Sequence, residues 1–164
     1  MDGDLRYGDL DPTTAEGMGG TSGTLGHPGH RAWTAAFAAS LAVVAVLTLI
    51  PEGHGWAWGS PVSEIRWYLT GLRSPATMLQ LTGNLGLLTV PSALAVLRWP
   101  ALGRLRRLAG VSLALGTGIE FLQWALPLGR VVSPVDAVLN AIGALAAGLL
   151  VAHAGRPSAL AAAR

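Results

Sequence analysis

From residue 32 to residue 50 the chain runs for nineteen residues without a charged side chain. That is the length a helix needs to cross roughly 30 Å of hydrocarbon at ~1.5 Å per residue. No other feature limits the fold as strongly, because backbone in hydrocarbon must satisfy its own hydrogen bonds and an isolated apolar segment does so as a helix. Three more apolar runs follow, at 77–97, 108–126 and 135–153, the first bounded by Pro75 and by Arg98-Trp99-Pro100. Half the residues are apolar (51%) and only 12% are charged, too few to coat a soluble globule of 164 residues. Connections of ten and eight residues join the last three runs and make them antiparallel neighbours. The expected fold is therefore an all-α integral membrane protein, with four transmembrane helices in an up-and-down bundle.

Around this domain, 31–153, the chain reads as a disordered leader (1–30) and a short tail (154–164). The leader is Gly-rich and holds five of the nine acidic residues, with too few large apolar side chains to offset the entropy of ordering. An acidic leader and the absence of a small-residue cleavage site favour an uncleaved first helix over a signal peptide. Residues 51–76 read as a polar loop whose Trp56, Trp58, Trp67 and Tyr68 either lie at the headgroup level or pack onto helix ends. The eleven basic residues are all Arg and are scattered between apolar runs, which does not suit nucleic-acid binding and speaks instead about topology. Arg98, Arg104, Arg106 and Arg107 share one short loop, Arg31 precedes the first run, and Arg156 and Arg164 follow the last; Arg66, Arg73 and Arg130 fall on the other side. The positive-inside bias places both termini in the cytoplasm.

Polar residues inside the runs are the informative positions, since lipid tolerates them only where they face the bundle or a wet cavity. Thr77, Gln80 and Asn84 share a helical face, as do Ser112, Gly116, Glu120 and Gln123, and Asp136, Asn140, Gly143 and Ala147. Counted at ~1.5 Å per residue from the non-cytoplasmic end of each run, Gln80, Asn84, Glu120, Gln123, Asp136 and Asn140 all fall within about 11 Å of that interface. They are thus expected to meet, with Arg130 in the last loop as the cation close enough to pair with Glu120 or Asp136. Two readings of the layer stay open. Polar pairs between helices can be glue worth about 0.6 kcal/mol each, while a carboxylate as deep as Glu120 must be protonated or paired and so suggests a ligand, proton or catalytic site. Ala144 and Gly148 read as close helix packing.

No metal or cofactor is expected. His27, His30, His54 and His153 cannot converge, cysteine is absent, and His54 with Glu52 and Glu64 reads as a solvated loop. Ser63, Ser74 and Ser133 have no positioned base that the sequence shows, so no catalytic residue is assigned and the chain reads as more suited to binding than to catalysis.

Thr82-Gly83-Asn84 leading to Pro91, then Glu120-Phe121-Leu122-Gln123, then Gly129-Arg130, then Asp136 through Asn140 to Gly143, resemble in order and spacing the VanZ-like family of bacterial membrane proteins. The chain departs from that pattern where Val135 precedes a single acidic residue and where Ala147 stands in place of a frequent Gly. The resemblance covers about residues 78–152 and implies a plasma-membrane, multi-pass protein of cell-envelope function, in a family whose founding member is associated with low-level resistance to teicoplanin, a lipid-tailed glycopeptide. With it, the expected role is binding of an amphipathic membrane lipid or lipid-linked cell-wall intermediate, with Asn84, Glu120, Gln123, Arg130, Asp136 and Asn140 lining the site. The alternative is an intramembrane hydrolase or transferase using Glu120 or Asp136 as general acid or base.

Overall fold

The computed structural model describes residues 28–155, so most of the expected leader and of the expected tail lies outside the described residues, while residues 28–30, expected in the leader, open α1. Helix α1 spans Pro28–Leu49, strand β1 Gly55–Trp58, α2 Pro61–Gly71, α3 Pro75–Leu87, α4 Thr89–Arg98, a short 3-10 turn Pro100–Gly103, α5 Leu105–Ala125, β2 Leu128–Val132 and α6 Pro134–Ala154. Three segments, Arg31–Leu49, Pro75–Arg98 and Pro134–Ala154, are long and apolar enough to cross a bilayer. The run expected at 108–126 falls on α5, as long as α6 at 21 residues but loaded with Arg106, Arg107, Glu120 and Gln123.

Burial is inverted relative to a soluble protein. Leu79 and Leu150 are 75% and 72% exposed, whereas Thr77, Ser112, Glu120, Gln123, Asp136 and Asn140 are buried. Such a surface is stable only against lipid. This protein is a membrane protein.

Local sequence explains where the elements start and break. Three helices open on Ser-Pro: Ser60-Pro61, Ser74-Pro75 and Ser133-Pro134. Proline holds its predecessor extended, and its missing N–H costs nothing in a first helical turn. The second apolar run is not one continuous helix. Pro91 has no N–H to give the carbonyl four residues back and its ring crowds that carbonyl, so the ladder breaks at Leu88 (φ −99°, ψ 5°) before α4 resumes. The hydroxyl of Thr89 donates to the Gly86 carbonyl at 2.7 Å, and the Ser92 N–H donates to Leu88 O at 3.0 Å.

Helix α6 is central, packed against α3, α4 and α5. A side chain at Gly143 would collide with the Leu85 carbonyl oxygen, and one at Gly116 with the Ala137 carbonyl oxygen; hence the backbones of α3 and α5 lie directly on α6. Ser92 Oγ donates to Ala144 O at 2.6 Å, tying α4 to α6, while Gly148 makes room for Ser92 and Leu108. The small core is Val44, Leu88 and Ala144, flanked by Leu87 and Ile119.

The segment read as a polar loop, 51–76, is structured. It forms β1 and the eleven-residue α2, and β1 pairs in parallel with β2 from the last connection, with Gly55 opposite Leu128 and Trp58 opposite Val132. This two-stranded sheet departs from the purely helical expectation. Four-residue and five-residue strands leave no legible alternation in sequence, and their pairing is long-range. Gly129 makes it possible: its φ is +69°, and a Cβ there would sit 2.5 Å from the backbone of Gly53.

Candidate functional site

At the end of the bundle carrying the β1–β2 pair, α1, α2, α3, α5, β2 and α6 enclose a cavity of about 610 Å³, within the usual range for small-molecule sites. The six residues singled out in the sequence, Asn84, Glu120, Gln123, Arg130, Asp136 and Asn140, all line it. So do Gln80, Glu52 and Glu64. Every acidic residue of the described chain, Glu52, Glu64, Glu120 and Asp136, is therefore on one wall system.

Each carboxylate is held differently. Asp136, in the first turn of α6, accepts from the Tyr68 hydroxyl at 2.8 Å on one oxygen and from Gln80 Nε2 at 3.3 Å on the other. Asn84 Nδ2 lies 3.5 Å from the same Tyr68 oxygen. Glu120 Oε2 accepts the backbone N–H of Ser133 at 2.8 Å. Glu64, on α2, accepts the Ser133 hydroxyl. Ser133 is the N-cap of α6: its Oγ accepts the N–H groups of Val135 and Asp136 at 3.1 Å each while donating its proton to Glu64. One fully buried serine thus fastens α2 and α5 to the start of α6.

Burial pushes the Glu64 carboxyl above its ordinary value, with the Asp136 charge adding to the rise and the Ser133 hydrogen bond opposing it. The Tyr68 phenol is pushed well above its ordinary range by burial and by its bond to Asp136, which keeps it a neutral donor.

Arg130 does not pair with Glu120 or Asp136. It forms an ion pair with Glu52 at 2.7 Å and donates to the carbonyls of Ile50 and Leu47 at 3.1 Å each. The strand pairing is the reason. Glu52 N–H donates to Leu128 O at 2.9 Å, which brings the chain end of α1 beside β2 and presents a nearer carboxylate and two open carbonyls. Gln123 likewise reaches back to α1, donating from Nε2 to Thr48 O at 3.1 Å. Asn140 is 1% exposed and its Oδ1 is buried with no hydrogen-bond partner.

Sequence reasoning did not place Glu64, Tyr68, Gly71 or Ser133 with the polar layer. Glu64, Tyr68 and Gly71 stand at i, i+4 and i+7 and mark the inward face of α2, but an eleven-residue helix inside a Trp- and Gly-rich stretch gave no apolar period to attach them to. In sequence Ser133 reads only as a serine without a base; a Ser before Pro at a helix start is the signal that could have found it. The His54, Glu52 and Glu64 combination does not assemble, since among the described residues no group of three or more such side chains could hold a metal ion.

A second depression, apolar and about 390 Å³, runs between α5 and α6, with Trp58 of β1 in its wall. Phe121, Trp124, Leu113 and Val138 line it, and Glu120 is the residue it shares with the polar cavity.

The polar stripes on α3, α5 and α6 and the Gly-Arg turn before α6 are now placed in one structure, and the sequence matches the VanZ/LLP1 family over residues 30–155. The chain belongs to the VanZ/LLP1 family. Its family region thus takes in α1 as well as the three helices that carry the motif residues. No curated protein and no solved structure matches this VanZ/LLP1 chain.

Proposed function

We propose that this VanZ/LLP1 protein is a multi-pass plasma-membrane protein of the bacterial cell envelope, with α5 as a fourth crossing helix and both described chain ends on the cytoplasmic side. Its polar cavity, on the outer side, binds the head of an amphipathic lipid or lipid-linked envelope component, and the adjoining apolar groove takes the chain. The observation that carries this reading is the shared wall: Glu120 belongs to both the 610 Å³ polar cavity and the 390 Å³ apolar groove, so one molecule with a polar end and an apolar end can fill both. Polar residues acting only as glue would close on one another and leave no such cavity.

Binding is favoured over catalysis by the state of the side chains. Both oxygens of Asp136 already accept hydrogen bonds, and Ser133, the serine nearest the carboxylates, is fully buried and locked as a cap. The Ser133 hydroxyl is thus not free for attack.

The test is genetic and uses the family's association with a lipid-tailed antibiotic. A host lacking the protein is expected to become more sensitive to teicoplanin or to other agents that engage lipid-linked envelope intermediates. Wild-type protein restores resistance; Glu120→Gln does not, although it accumulates in the membrane to the same level. Full restoration by Glu120→Gln would remove the cavity from the function.

A further inference from the structure

Resting on the reading that the cavity holds the head of an amphipathic molecule, we infer that this head is cationic, a primary ammonium group, and not a phosphate or carboxylate. The cavity is lined by four carboxylates and one guanidinium. The guanidinium is paired: through Nε and Nη2 Arg130 gives donors to Glu52 and to the carbonyls of Leu47 and Ile50, fastening the end of α1 to β2. Glu64, Glu120 and Asp136 make no ion pair among the described residues, so three carboxyl groups stand in excess of the Arg130–Glu52 pair. An anionic head would meet three carboxyl groups in excess of one already paired guanidinium, and like-charge repulsion in a medium of low dielectric opposes it.

The hydrogen-bond inventory points the same way. Gln80, Asn84, Gln123 and Tyr68 all direct donors onto protein acceptors. Two acceptors remain open: Glu120 has one oxygen that receives no bond among the described residues, and Asn140 Oδ1 is buried without a partner. A primary ammonium carries three N–H donors and one charge, and fits that set. A divalent metal does not, because no three acidic or histidine side chains of the described chain come together around one point. A quaternary ammonium has no N–H to give, and the aromatic ring on the cavity wall is Trp67 alone, not a cage.

The full-length protein in phosphatidylcholine nanodiscs, measured against empty discs, separates these heads on one chain length. Decylamine, decyltrimethylammonium, decyl glucoside and decyl phosphate are the probes, with ethylamine as the head without a chain. Decylamine is expected to bind at least about tenfold more tightly than the other three amphiphiles near neutral pH. Its binding is expected to weaken on acidification; the titratable and charged groups that face the head are Glu52, Glu64, Glu120, Asp136 and Arg130. Glu120→Gln should remove the preference, but the comparison on the wild-type protein stands even if that variant is not recovered. Equal or tighter binding of decyl phosphate or decyl glucoside would overturn the ammonium assignment and leave the amphipathic reading intact. Ethylamine binding as tightly as decylamine would support the ammonium and overturn the lipid. No binding by any of the five would overturn both.

Discussion

Ser133 shows how much one side chain can coordinate in a membrane interior. Its hydroxyl takes two N–H groups of α6 and gives its proton to Glu64, while its own N–H serves Glu120. Ser133→Ala is expected to cost about 0.5–2 kcal/mol for the cap alone, and more because Glu64 loses its donor while half-buried. Thermal unfolding in detergent, followed by circular dichroism, measures it; an unchanged midpoint would mean that the cap is not used. Glu64 itself carries a pH dependence whose sign follows from its raised value. A carboxyl that holds its proton more tightly folded than unfolded lowers stability as pH rises from its ordinary 4.5 through the folded value. Glu64→Gln keeps an acceptor for Ser133 and removes the charge, so it is expected to be the more stable protein at neutral pH and the equal of wild type in acid. Identical pH profiles for the two proteins would contradict this.

At the scale of elements, α6 is held by backbone contact more than by side chains. Because the Leu85 carbonyl occupies the space a Cβ at Gly143 would need, Gly143→Leu should force α3 away from α6. A cost at or above the upper end of the ~1–3 kcal/mol typical of overpacking is expected, read as loss of monodisperse protein after extraction. Gly129→Ala acts on a different device. It combines a left-handed φ of +69° with a backbone neighbour at 2.5 Å, so it should unpair β1 from β2 and release Arg130 from Glu52. Since the chain has no native cysteine, a disulfide between cysteines placed at Ala57 and Val131, which face each other in the sheet, reports that pairing: rapid oxidation in the parent background, slow oxidation with Gly129→Ala. Equal rates would show that Gly129 is not what holds the strands.

At the scale of the molecule, the topology joins the cavity to one side of the membrane. The loop with Arg98, Arg104, Arg106 and Arg107 lies at one end of the helices, and the cavity, α2 and the sheet lie at the other. Reporter fusions after Arg104 are expected to be active only in the cytoplasm, and fusions after Arg73 only outside. An external reporter at Arg104 would turn the cavity toward the cytoplasm and remove the envelope ligand from consideration. The proposed fourth crossing by α5 fits its burial pattern: Ser112, Gly116, Glu120 and Gln123 are buried, while Leu113, Leu115, Phe121 and Leu122 are exposed.

The apolar helical segments, several of their limits and the polar layer were legible along the chain because each depends on short-range pattern: an apolar run long enough for a bilayer, a proline at a boundary, a polar residue recurring every third or fourth position. That is why Asn84, Glu120, Gln123, Arg130, Asp136 and Asn140 could be named together before any coordinates. The partners of Arg130, the inward turn of Glu64 and Tyr68, and the parallel pairing of Gly55–Trp58 with Leu128–Val132 could not. They join segments some seventy residues apart, through short strands and an eleven-residue helix that carry no period of their own. Depth along each helix set which residues share a level, and only the tertiary structure decided which of them touch, because a charge takes the nearest partner the fold presents and the strand pairing put Glu52 there first.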